Sequence, residues 1–122
     1  MQYYDELVQY ERDGFTIIVD KTYEDIDPRG QFDTDDIEEI IKDIDRGHLE
    51  WFMLRVRVLV EGLELGSHYL GGCLYEDARQ VLSDGTAEDC IDEAMKEAKS
   101  QVYRLYKTFQ SLSWELDAGH VA

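Results

Sequence analysis

The residues with the most chemical potential in this chain are its carboxylates, and they are concentrated in one segment. Asp and Glu number 28 against 12 Lys and Arg, which gives a net charge of −16. Residues 20–50 contain twelve acidic and four basic side chains, so about a quarter of the chain carries half of the net charge. Such a surface repels nucleic acid and anionic membranes. We therefore expect no direct binding to either, and a basic protein surface as the partner.

Carboxylates on one face of a helix can imitate a nucleic-acid backbone. Side chains three or four positions apart on a helix lie ~5–6 Å from one another, and phosphates along a DNA strand have a similar spacing. A basic groove that binds nucleic acid would accept such an array, with an affinity that falls steeply as salt rises. The acids that we predict to bind a partner collectively are Asp25, Asp27, Asp33, Asp35, Asp36, Glu38, Glu39 and Asp43.

One loop in this segment partly follows the calcium-binding pattern of EF-hand proteins. Asp25, Asp27 and Gly30 match its first, third and sixth positions. Arg29, however, places a cation where a ligand belongs, and Asp36 is shorter than the usual bidentate glutamate. A strand precedes the loop, whereas that motif requires a helix. An aspartate-rich loop leading into a helix is the simpler interpretation, so we expect no metal and no cofactor.

The cysteines and histidines form no recognisable catalytic or zinc pattern. Cys73 follows Gly71-Gly72 and lies near His68 in sequence, but the acidic surroundings would raise the pKa of a thiol, which disfavours a reactive thiolate. Cys73 and Cys90 fit two buried free thiols of a cytoplasmic protein. The carboxylate pairs that hydrolases use are too numerous here for one pair to stand out. We therefore expect a protein that is not an enzyme.

The stretch 51–60, WFMLRVRVLV, predicts the central strand that must position the acidic segment. Its even-numbered residues are all apolar, and its odd-numbered residues combine Trp51, Met53 and Leu59 with two arginines. A period of two with β-branched and aromatic residues is typical of a strand. The first face must be covered, and the second is expected to be partly covered and partly wet.

The remaining elements are predicted from periodicity and from turn and capping residues. They are a short helix over residues 3–11, a strand over 14–20, a helix over 35–46, a returning strand over 63–75 and a long helix over 87–112. Glycines in the returning strand indicate bulges or the close approach of another backbone. We predict one α+β domain over residues 1–122, with a three-stranded, mainly antiparallel sheet packed with an acidic helix and a long C-terminal helix in the order β-α-β-β-α. Residues 113–122 are expected to fray.

Two surfaces of this predicted fold are candidates for self-association. Helices on one face of the sheet leave the mixed face of Trp51, Met53 and Leu59 to a second copy, or to the N-terminal segment or the tail. The long helix spans about 40 Å, more than so small a domain needs, so its far end would pack on another chain. The alternative function is therefore a structural or assembly protein that homodimerises through the sheet face or the long helix, with acidity serving only solubility.

The length, the charge and the acid run DTDDIEE of residues 33–39 resemble the small accessory proteins of bacteriophages and prophages. Some of these proteins block host defence by imitating DNA, as anti-restriction and anti-CRISPR inhibitors do. The resemblance is one of class and assigns no individual functional residue. It implies a non-enzymatic inhibitor in the cytoplasm that occupies the basic, nucleic-acid-binding surface of a host protein.

Overall fold

A computed structural model describes residues 2–32 and 34–119, with side chains described as far as residue 112. Its elements are β1 (Tyr4–Arg12), β2 (Phe15–Tyr23), α1 (Ile37–Asp45), β3 (Glu50–Val60), β4 (Leu63–Tyr75), a 3-10 helix (Ala78–Leu82) and α2 (Thr86–Gly119). Within these residues the strands form one antiparallel sheet in the order β1-β2-β3-β4. The predicted α+β class is confirmed, but the sheet has four strands and not three.

Strand β3 forms where alternation predicted it and lies inside the sheet, between β2 and β4. Phe52, Leu54, Val56 and Val58 are buried. The intervening side chains are only partly buried, as the mixed composition of that face predicted. Because successive side chains of a strand point to opposite faces, β3 gives the sheet one apolar side and one mixed side.

The N-terminal segment is strand β1, so the prediction of a short helix there is wrong. Tyr4, Leu7, Val8 and Glu11 have helical spacing, but in the strand they do not share a face: a pairing irregularity around Leu7 brings the adjacent Leu7 and Val8 to the buried cluster, whereas Tyr4 stacks on Arg55 on the other face of the sheet. The hairpin turns at Asp13-Gly14, where both residues have positive φ angles of 54° and 85°. Two-residue turns between antiparallel strands favour this conformation. The extra strand is the reason that the sheet is four-stranded.

The first half of α2 packs on the apolar side of the sheet, which we call the covered side. Its inward residues Ala87, Cys90, Ile91, Ala94, Met95 and Ala98 share one buried cluster with β2 and β3. Gly66 of β4 lies directly beneath this helix, where a Cβ atom would overlap the carbonyl oxygen of Ala94. The predicted close approach at a glycine of β4 is thereby confirmed. The predicted bulge is also confirmed, because the pairing with β3 shifts at Gly71-Gly72.

Helix α2 extends well past the sheet. Ala98 is its last buried residue among those whose side chains are described, yet the helical backbone continues to Gly119. At ~1.5 Å per residue, these further 21 residues add roughly 30 Å. The sequence predicted an end at Leu112 and fraying beyond it, whereas residues 113–119 belong to the helix. Residues 120–122 lie outside the described part of the chain.

The opposite side of the sheet, which we call the open side, is not covered by α2; only α1 approaches it among the described helices, at the Trp51 end, where Ile41 and Ile44 share a cleft with that ring. The N-terminal segment does not cover it, because that segment is the edge strand β1. Helix α1 contributes no buried residue to the core. The fold therefore separates a sealed core from two more exposed features, the open side and the segment around α1.

Among the described helices, none combines the length and the apolar character that crossing a membrane would require.

Candidate functional site

The structure gathers the predicted acids on one loop and helix, residues 24–46, which we call the acidic segment. Asp25 and Asp27 lie in the loop, Asp35 and Asp36 lie directly before α1, and Glu38, Glu39 and Asp43 lie on α1. All of these are exposed except Asp43, which is partly buried. Asp33, which was also predicted to bind the partner, lies outside the described residues. The acids that the sequence singled out and the structure describes therefore belong to one continuous surface feature.

A buried glutamate fastens the start of this segment to the sheet. The Glu24 side chain accepts hydrogen bonds from the backbone N–H of Gly72, at 2.8 Å, and of Ile26, at 3.2 Å. The indole Nε1 of Trp51 donates to the carbonyl oxygen of Ile26 at 2.8 Å, and the Trp51 ring meets Phe32 edge to face. Because these contacts join the loop to β3 and β4, the acids that follow project from a fixed base.

Local hydrogen bonds shape the loop and start the helix. The Asp27 carboxylate accepts from the backbone N–H of Arg29 at 2.9 Å, and the Thr34 hydroxyl accepts from that of Asp36 at 3.1 Å. The Arg29 guanidinium bridges Glu38, at 3.2 Å, and Asp27, at 3.6 Å. Its hydrogen bond to Glu38 raises the pKa of Arg29 above the ordinary value. One cation therefore ties the loop to α1 at the centre of the acidic segment.

Helix α1 rests on the rest of the molecule through a shallow apolar contact. The helix forms within the predicted range of residues 35–46, and Ile37, Ile40, Ile41 and Ile44 share one face, yet none of its nine residues is buried. Ile41 and Ile44 line a cleft of about 520 Å³, together with Trp51 and the loop around Pro28. The helix therefore stands beside the core and presents its carboxylates outward.

Neutralisation of the acidic segment is incomplete. It contains ten acidic and three basic residues. Lys42 pairs with Glu39 at 3.4 Å, and the imidazole of His48 lies 3.6 Å from Asp43. Four acids form no ion pair with the described part of the chain, namely Asp25, Asp35, Asp36 and Asp45. The segment thus keeps a strong negative field at its exposed end.

The loop that partly follows the calcium-binding pattern does not form a cluster of metal ligands among the described residues. Within the described residues, no three Asp, Glu, His or Cys side chains are grouped closely enough to hold a metal ion. Asp27 is already engaged with the backbone and the guanidinium of Arg29. The segment that leads into the loop is strand β2, as the sequence indicated.

Sequence reasoning missed a buried ion pair on the open side of the sheet. Asp20 is only 3% exposed and accepts hydrogen bonds from the Nε and Nη2 atoms of Arg55 at 2.8 and 2.6 Å. Arg57 lies 3.6 Å from the same carboxylate, and the Tyr4 ring stacks on the Arg55 guanidinium at 3.3 Å. The hydrogen bond to Asp20 raises the pKa of Arg55. The available signal was charge at alternating strand positions, but only the register of β2 with β3 joins these residues.

The thiol of Cys73 is deeply placed on the covered side. Burial is the largest cause that raises its pKa, to about 11, and nearby acids add to this. Burial raises the pKa of Cys90 as well. The direction predicted for Cys73 is confirmed, although desolvation and not the acidic field dominates. Neither thiol has the lowered pKa that an activated nucleophile needs.

Comparison of the chain with protein-family models, with curated proteins and with solved structures finds no match.

Proposed function

We propose that this protein is a non-enzymatic inhibitor that uses its acidic segment to occupy the basic, nucleic-acid-binding surface of another protein. The observation that carries the proposal is the grouping of ten acidic against three basic residues, four of the acids without an ion pair among the described residues, on a loop and helix that are anchored to the sheet but lie outside its core. The same chemistry disfavours nucleic acid and anionic membranes as direct partners. The two free thiols suit a reducing compartment, and we place the encounter in the cytoplasm.

The proposed mechanism is electrostatic complementarity on a preformed surface. The negative field of the acidic segment steers a basic groove toward it and raises the association rate. The contacts of Glu24, Trp51 and Arg29 order the loop before binding, so less conformational entropy is lost in the complex. The carboxylates act together as phosphate surrogates, so no single one is indispensable. Binding should weaken steeply as salt rises, because screening acts on every contact.

A charge-reversal pair tests this proposal. The first variant combines Asp35→Lys, Asp36→Lys and Asp43→Lys in the acidic segment. The matched control combines Asp89→Lys, Glu93→Lys and Glu97→Lys, which are exposed acids near the start of α2. Both variants change the net charge by the same amount, so a difference between them reports the position of the charge. Circular dichroism would verify that both remain folded.

The measurement is a pull-down from bacterial lysate at low and high salt, with the bound proteins identified and then challenged with duplex DNA. We expect the parent and the α2 control to retain a nucleic-acid-binding protein at low salt and to release it at high salt or to added DNA. The acidic-segment variant should not retain this protein even at low salt. If all three proteins behave alike, or if DNA does not displace the partner, the proposal is wrong.

The second candidate function is a structural or assembly protein whose acidity serves only solubility. One observation favours it: the distal part of α2 exposes large apolar side chains, including Tyr106, Phe109 and Leu112. Salt dependence distinguishes the two functions. An apolar contact between copies would persist at a salt concentration that dissociates an electrostatic complex.

A further inference from the structure

A continuous apolar stripe runs along α2 with the spacing of a coiled-coil seam. Its members recur at alternating intervals of four and three residues: Ile91, Met95, Ala98, Val102, Leu105, Phe109 and Leu112. A mean repeat of 3.5 residues keeps such a stripe facing one partner along the whole helix. The stripe therefore specifies a packing partner over its full length, and not only where the sheet provides one.

The surroundings of this stripe change abruptly along the helix. Ile91, Met95 and Ala98 are buried against the sheet, whereas Val102 is 39% exposed and Phe109 is 58% exposed. Beyond Ala98 no described side chain of the helix is buried: Leu105 is partly buried, and Val102, Phe109 and Leu112 are exposed. The distal segment, residues 99–112, thus has the sequence of a packed helix in an exposed setting.

We infer that the part of α2 beyond Ala98 pairs with the same part of a second copy of this chain, in antiparallel orientation. The seam positions of the distal segment are all apolar, as knobs-into-holes packing requires. The distal segment contains three basic residues and no acid, in a chain of net charge −16. Arg104 and Lys107 occupy positions off the seam, so two copies meet there without placing like charges in the apolar contact.

The sheet determines the orientation. In a parallel pair, each helix would need the space beside the other's Ile91, Met95 and Ala98, and the sheet already fills that space. In an antiparallel pair that overlaps over the whole exposed part of the helix, residues 99–119 of one copy run beside residues 119–99 of the other, and the two sheets sit beyond opposite ends of the contact. The sequence after residue 112 adds Glu115 and Asp117 and no Lys or Arg. Antiparallel pairing therefore brings the basic start of one distal segment toward the part of the partner helix whose sequence carries Glu115 and Asp117.

The area available predicts a weak and reversible dimer. A buried aromatic side chain covers roughly 150–250 Å², and Tyr106 and Phe109 are each a little more than half exposed. With Val102 and Leu112, we estimate that about 800 Å² is removed from water when both copies are counted, which lies below standard specific interfaces and in the range of weak, transient contacts. We therefore expect self-association at micromolar protein concentrations. This inference does not depend on the proposed inhibitor function, because α1 lies outside the contact.

Sedimentation velocity over a concentration series tests the pairing with two matched variants. Phe109→Glu places a charge in the seam, whereas Tyr103→Glu places the same charge on a residue that is equally exposed, at 61%, but lies off the seam. We expect the parent and Tyr103→Glu to dimerise alike, and Phe109→Glu to raise the dissociation constant by about 100-fold or more. Leu112→Glu should behave like Phe109→Glu. Circular dichroism would show that the variants remain folded.

Spin labels at Ser100→Cys test the orientation, since the native thiols of Cys73 and Cys90 are buried. Antiparallel helices separate the two labels by at least ~20 Å along the axis, whereas parallel helices place them at the same height. A parent that stays monomeric at every concentration, a dimer that survives Phe109→Glu, equal weakening by Tyr103→Glu, or labels at the same height would each overturn the inference.

Discussion

The two sides of the sheet are built from the same strands but are stabilised by different interactions. On the covered side, the side chains of β2, β3 and α2 form a dry apolar cluster. On the open side, the centre is an Asp20–Arg55 ion pair with Arg57 and Tyr4 around it. Asp20 is almost as inaccessible as the core, although no helix covers it within the described residues. Long side chains of neighbouring strands therefore exclude water from this carboxylate.

The comparison shows that the burial of a side chain does not by itself identify the interaction that stabilises it. Apolar burial contributes in proportion to the area removed from water. A buried ion pair offsets its own desolvation and contributes little net stability, but the loss of one partner leaves an uncompensated charge. Loss of side-chain volume should therefore lower the free energy of unfolding most on the covered side, and loss of a charge partner should lower it on the open side. The predictions below separate these two responses.

The largest expected effect comes from a cavity on the covered side. Leu54→Ala removes a fully buried side chain and should reduce the free energy of unfolding by about 4 kcal/mol. The control is Leu59→Ala, the same substitution on the open side of the same strand, where the leucine is only partly buried. It should cost about 1 kcal/mol. Urea unfolding followed by circular dichroism measures both, and equal losses would contradict the assignment of the two sides.

The next effect tests charge on the open side. Asp20→Ala leaves Arg55 and Arg57 without their carboxylate and should cost about 3 kcal/mol, although little volume is lost. The double variant Asp20→Leu with Arg55→Leu removes both members of the pair. Its free energy of unfolding should fall by less than that of the single variant. If the double variant is the less stable of the two, volume and not charge governs this site.

Much of the covered side could be predicted from the sequence, because its signal is local. Alternation in residues 51–60 predicts β3, and helical periodicity predicts α2. Strand β1 could not be predicted in this way, since the pairing irregularity at Leu7 brings the adjacent Leu7 and Val8 to the same side of the sheet and interrupts the alternation. The Asp13-Gly14 turn was the overlooked signal: the Glu61-Gly62 turn between β3 and β4 is likewise an acidic residue followed by glycine, both with positive φ.

The open side and the acidic segment depend on contacts between distant parts of the chain. Nothing near Asp20 in sequence indicates Arg55, because 35 residues separate them and only strand register brings them together. Likewise, Glu24 is one acid among many in the sequence, yet in the fold it anchors the acidic segment to Gly72. The positions of the predicted acids follow from local structure, whereas their anchoring does not.

The smallest perturbation compares thiols on the two sides without disturbing the fold. Cys73 is buried on the covered side with a pKa of about 11, so its thiolate fraction at pH 8 is about a hundredfold below that of an ordinary thiol. Ser67→Cys introduces a partly exposed thiol on the open side of β4. We expect the new thiol to react with a maleimide reagent at least about 100 times faster than Cys73.

Mass spectrometry of the peptides after a time course would measure the two rates in the same molecule. In urea, where the protein is unfolded, the two rates should become similar. Two terms reduce the rate at Cys73, the small thiolate fraction and the lack of access. Raising the pH increases the thiolate fraction but not the access of the reagent. The rate at Cys73 should therefore still lag behind that at residue 67 when both are compared at pH 9. Equal rates in the native protein would mean that α2 does not seal the covered side in solution, and the contrast between the two sides would fail.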